Sequence, residues 1–87
     1  MDSTLHEPIS VDAIFDAKNP HRCTPKSFKR TSGREISITE IGLIHPKFDG
    51  IKTHFMFDLT DGEADYRLSF DTEQLEWFLE WEGDRNV

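Results

Sequence analysis

Between Ser27 and Phe70, apolar and polar residues alternate with the period of a pleated strand that buries one face. Ser27-Phe28-Lys29-Arg30-Thr31 alternates, and Ser32-Gly33 supplies a tight turn. Arg34 to His45 reads as one long strand with Ile36 and Ile38 on the same face. The pattern slips at Ile41, Leu43 and Ile44, the mark of a β-bulge or of a strand crossing to the other side of a curved sheet. Pro46 is expected to end this strand, and Phe48-Asp49-Gly50 has loop chemistry. Thr53 to Thr60 places Phe55, Phe57 and Leu59 opposite His54, Met56 and Asp58. Asp61-Gly62 then signals a hairpin into Ala64, Tyr66, Leu68 and Phe70, which alternate with Asp65, Arg67 and Ser69.

The two ends of the chain are harder to read. Ile9, Val11 and Ile14-Phe15 suit a strand starting after Pro8, with a helical turn over 12–17 as the competitor. Residues 72–82 fit two periods. Period two lines up Leu75, Trp77, Leu79 and Trp81, whereas period 3.6 makes a stripe of Leu75, Phe78 and Leu79 behind a capping box at Asp71-Thr72-Glu73-Gln74. Strand and helix both stay open there.

These elements predict an all-β fold, a small antiparallel meander of five or six strands curled into a half-open barrel, the last element being a strand or a helix. The 87 residues suit a single domain. Residues 1–7 are expected to be flexible, 18–25 to form an irregular connector around Pro20 and Pro25, and 83–87 to fray. No apolar run approaches the ~20 residues a bilayer requires. Met1 to Pro8 has neither a basic start nor an apolar stretch, so a secretory signal is not expected and a cytoplasmic location is.

Charge sharpens the picture. The formal net charge of −7 opposes non-specific contact with nucleic acid or anionic membranes. Its distribution is uneven. Lys18 to Arg34 holds six cations and no acid, while Asp58 to Asp84 holds ten acids and only Arg67 as a cation. The simplest expectation is that the two segments lie side by side and neutralise each other. Presented outward, the acidic stretch would suit a basic partner protein or imitate nucleic-acid phosphate.

Candidate chemistry is sparse. His21-x-Cys23 is not a zinc spacing, and no metal or other cofactor is expected. Cys23 lies beside His21 and Arg22, which could lower a thiol pKa, yet no oxyanion-hole motif accompanies it, so a surface or half-buried thiol is expected. No catalytic residue is assigned and the domain reads as non-enzymatic. Two binding sets remain. Phe28 among Lys26, Lys29, Arg30 and Arg34 has the mixture of a small nucleic-acid-binding barrel, although the same pattern describes a core Phe on an amphipathic strand. Trp81 among acids such as Glu76 and Glu80 suits an Arg-rich peptide better than a base, while Trp77 is expected in the core.

The order Glu7-Pro8-Ile9, Phe28 before Gly33-Arg34, Ile36-x-Ile38-x-Glu40-Ile41, Asp61-Gly62, Tyr66-x-Leu68-x-x-Asp71 and Trp77-x-Leu79 resembles a group of short bacterial domains of unknown function. In that group a Phe-x-Trp-x-Gly-Arg-x-Tyr-x-Val strand pair precedes a β-meander ending in Trp-x-Leu. Related segments also stand at the end of Y-family, translesion-polymerase-like proteins. Lys29-Arg30 departs from the usual Trp region, and Ile36 stands where Tyr is typical. The resemblance implies an all-β last element and a binding role without catalysis. The reading is therefore a protein-interaction module in a DNA-repair or replication setting, with a nucleic-acid-binding barrel and an acidic DNA-mimic inhibitor as alternatives.

Overall fold

The computed structural model describes residues 3–17, 23–50 and 52–84. They form seven strands: β1 (Ser3–Ile14), β2 (Thr24–Lys29), β3 (Glu35–Ser37), β4 (Glu40–Asp49), β5 (Lys52–Thr60), β6 (Ala64–Asp71) and β7 (Glu76–Asp84). The strands make one antiparallel sheet in the order β3-β2-β1-β7-β6-β5-β4.

The two edge strands, β3 and β4, are consecutive in the chain, with only Ile38 and Thr39 between them. So short a link reaches about 10 Å, so the end of β3 and the start of β4 must approach each other at this corner. Backbone hydrogen bonds fix the corner: Ile38 N donates to Lys26 O and Thr39 N to Thr60 O, both at 2.9 Å. β1 contributes the rest of the curl. Its first part pairs with β7 from Ser3 to Ile9, and its second with β2 from Ser10 to Ile14. The sheet thus becomes a half-barrel.

Several expectations change. There are seven strands rather than five or six, because the corner at Ile38–Thr39 splits the segment read as one strand into β3 and β4. The slip at Ile41 is real as well: the register between Ile41 and Ile44 shifts against β5. Pro46 does not end β4. It pairs with Phe55 inside an edge strand, where a missing N–H is tolerated, and the strand continues to Asp49. β1 starts at Ser3, before Pro8, because β7 offers it a partner, so Ser3 to Glu7 belong to the sheet. Of the expected connector 18–25, Thr24 and Pro25 lie in β2 and 18–22 fall outside the described residues. Gly83 and Asp84 are still in β7, and 85–87 fall outside the described residues.

The last element is a strand. Its capping signal caps a turn instead: Asp71 Oδ1 accepts from Glu73 N (2.9 Å) and Gln74 N (3.2 Å), and Leu75 N donates to Asp71 O (2.8 Å). The open edge of β6 then captures Glu76 onward, and cross-strand pairing outweighs the helical propensity of Glu and Leu.

The register stacks the inner face in rows. Phe55, Phe70, Trp77 and Ile9 form one row, Phe57, Leu68 and Leu79 the next, and Leu59 and Tyr66 the third. Phe28, Ile36 and Cys23 close over them from the other side. Phe28 meets Tyr66 edge-on at 5.3 Å, and Phe70 stacks on Trp77 at 4.6 Å. Each such side chain contributes roughly 1.5–3 kcal/mol when fully buried, before chain entropy is set against it.

Candidate functional site

The outer face of β5–β7 gathers most of the distinctive chemistry. In the β6–β7 ladder Arg67 faces Trp81 while Leu68 faces Leu79, so Glu80 is the extra residue of a bulge. A one-residue insertion exchanges the two faces of a strand. Trp77 and Leu79 therefore point into the core, Trp81 points outward, and Glu82 points inward. Plain alternation had put Trp81 beside Trp77.

On this outer face Asp58, Arg67 and Trp81 form one row, and Met56, Ser69 and Phe78 the next. Arg67 Nε donates to Asp58 Oδ1 at 2.7 Å, which raises the guanidinium's affinity for its proton. The bulged Glu80 is held from two sides. Ser69 Oγ donates to Oε2 at 2.9 Å, and His6 Nδ1 donates to Oε1 at 2.7 Å. The His6 ring in turn stacks on Phe78 at 4.2 Å.

Two grooves meet here and share Arg67 and Trp81. The first, about 710 Å³, is lined by Glu40, Asp58 and Asp65. The second, about 550 Å³, is lined by Met56, Phe78, Glu76 and Glu80, with His54 and Lys47 at its far side. An indole, a phenyl ring and a thioether bordered by carboxylates are suited to guanidinium or ammonium groups with apolar stems.

The basic segment is arranged differently. Phe28 is 1% exposed, so the ring that nucleic-acid stacking needs at the surface is in the core. Lys26, Lys29 and Arg34 are exposed and make no ion pair among the described residues. Arg30 turns inward. It forks onto Glu7, with Nη2 to Oε1 at 2.8 Å and Nε to Oε2 at 3.3 Å, and reaches Glu82 Oε1 through Nη1 at 3.0 Å. Thr31 N adds a bond to Glu7 Oε2. The Arg30 hydrogen bond leads in holding the Glu7 carboxyl below its usual range, although burial pulls the other way. Glu7 shares its face of β1 with Leu5, Ile9 and Val11, so this ionic group faces inward among apolar side chains.

The expected neutralisation of the two charged segments is thus only partial, because β1 lies between β2 and β7. Among the described cations of 23–34, only Arg30 crosses to the acidic strands. Cys23 is fully buried rather than at the surface or half-buried, and burial pushes its thiol pKa up, away from a reactive thiolate. His21 and Arg22 fall outside the described residues.

Sequence reasoning had named Glu76, Glu80 and Trp81 but not His6, Met56, Asp58, Arg67 or Phe78 as their neighbours. The polar alternation of β5 and β6 carried the signal for Met56, Asp58 and Arg67. Nothing local brought His6 to Phe78. Among the described residues no helix is long and apolar enough to cross a membrane. No family model, curated protein or solved structure matches the chain.

Proposed function

We propose that this domain is a non-enzymatic protein-interaction module that receives a cationic segment of a partner on the outer face of β5–β7. The observation that supports it most is the outward turn of Trp81 at the Glu80 bulge, which sets an indole between two grooves edged by carboxylates. A buried Trp in register with Trp77 would need no bulge. The net charge of −7 favours a basic partner and opposes a polyanion. The resemblance noted in the sequence directs the search for partners to DNA repair and replication. A small nucleic-acid barrel is the weaker reading because Phe28, its stacking ring, is buried.

Calorimetric titration separates the two. A short poly-arginine peptide should bind the wild type with an affinity that weakens with salt, and Trp81→Ala or Glu76→Lys should weaken it further. Lys26→Glu with Lys29→Glu should leave that binding intact. Binding of single-stranded DNA that is lost in the Lys26/Lys29 variant would reverse the assignment.

A further inference from the structure

The end of the half-barrel formed by the β6–β7 turn carries a third groove. Its floor is Phe70 and Trp77, stacked on each other, and Phe15 and Leu75 stand at its sides with Val11 and Glu76. Phe15 is 65% exposed and touches Phe70 only edge-on, at 6.5 Å. Leu75 is 69% exposed and has φ +58, the left-handed region that glycine adopts freely and branched side chains avoid. An exposed leucine in that conformation gains nothing for the isolated domain, since glycine would complete the same turn with less strain. Glu76 lines both this groove and the outer-face groove of Phe78 and Glu80, so one carboxylate stands at the border of the two.

We infer that the groove between Phe15 and Leu75 takes a large apolar side chain of the same cationic partner segment, so that the partner is recognised by an apolar anchor next to basic residues. This rests on the function proposed above. Glu76 at the junction supplies the charge complementarity for a basic residue beside the anchor, and the apolar floor supplies the site for the anchor itself.

The test compares two probes by calorimetry, a short poly-arginine peptide and the same peptide ending in leucine. On the wild type the leucine-ended probe should bind about tenfold tighter, the gain expected from burying much of one such side chain. Leu75→Gly should remove that gain, leave the plain probe's affinity unchanged, and keep or raise the melting temperature. Phe15→Ser should also remove it. Equal affinities of both probes for the wild type would overturn the anchor groove and leave the outer-face reading standing. Failure of both probes to bind would overturn the two together. Self-association of the wild type that Leu75→Gly abolishes would assign the groove to a second copy and overturn the proposal. A lower melting temperature in Leu75→Gly would also overturn it, by showing that Leu75 serves the fold.

Discussion

At the end of the half-barrel where β5 turns into β6, polar groups are paired closely. Arg30 is gripped by Glu7 and Glu82, and Asp61 Oδ1 accepts from Glu63 N and Ala64 N at 2.8 Å each. Thr39 bonds to Thr60 O through both its backbone N and its hydroxyl. The opposite end, where β6 turns into β7, leaves Phe15, Phe48 and Leu75 exposed and places Leu75 in a strained conformation. The first end holds together the corner that links the two edge strands. The second has its own turn bonds at Asp71 but leaves these apolar side chains uncovered, and that difference is where binding is to be sought. Partly buried ion pairs stabilise little by comparison with apolar packing, yet removing one member leaves the others uncompensated. The polar end should therefore be sensitive to single substitutions and the apolar end tolerant of them.

The largest effect should come from Arg30→Leu, which strands Glu7 and Glu82 on the inner face. A loss of about 2–3 kcal/mol is expected from the midpoint of urea unfolding. Replacing Glu7, Arg30 and Glu82 together by apolar residues should recover most of it. An Arg30→Leu variant as stable as the wild type would erase the contrast between the ends.

Acid should act on the same end. The carboxyl groups of Glu7 and Asp61 are both held below their usual values, near 4.5 and 3.8. For Asp61, burial works against this, and the amides of Ala64 and Glu63 with the Tyr66 hydroxyl prevail. A depressed folded-state pKa contributes stability that is complete above the ordinary value and lost as pH falls through the folded one. The melting temperature should thus fall as the pH drops below about 4.5, and Glu7→Gln should flatten part of that decline. An unchanged profile in Glu7→Gln would show that the Arg30 clasp adds no pH-linked stability.

Asp61→Ala removes the acceptor of two turn amides and should cost about 1 kcal/mol in the same unfolding assay. Asp61→Asn, which keeps one acceptor oxygen, should cost less. Leu75→Gly at the other end should range from neutral to a gain of about 1 kcal/mol, relief of the left-handed strain being set against glycine's greater freedom when unfolded. The smallest effect is expected for Trp81→Ala, within about 0.5 kcal/mol, because its side chain lies on the outer face. A stability loss several times larger would make Trp81 a structural residue and remove the main support for the outer-face site.

The β5–β6 hairpin was legible because everything it needs is local. Asp61-Gly62 closes the turn, with Gly62 at φ +97, and alternation on both sides sets the faces. Residues 72–82 were ambiguous because the capping signal at Asp71 is real and serves a turn as readily as a helix. Of the candidate site, the acids and Trp81 were visible as a composition. Their arrangement was not, since a bulge at Glu80 depends on how β7 fits β6, and two Trp residues four apart look alike in a period-two pattern. Phe28 shows the reverse case: its cationic neighbours suggested a surface platform, and packing on Tyr66 made it core.

The sequence alone determined that the chain would alternate into antiparallel strands, where its clearest turn would fall, and that it would carry acidic and basic stretches apart from each other. Those are properties of neighbouring residues, whose side chains must go to opposite faces of a pleated strand. Only the tertiary structure decided that β3 and β4 would be the two edges of one curled sheet, linked at a corner, that Arg30 would turn inward to Glu7 and Glu82, and that Trp81 would face out while Trp77 faces in. Each of these depends on contacts between residues far apart in the chain, where a single added residue reverses which face a side chain takes.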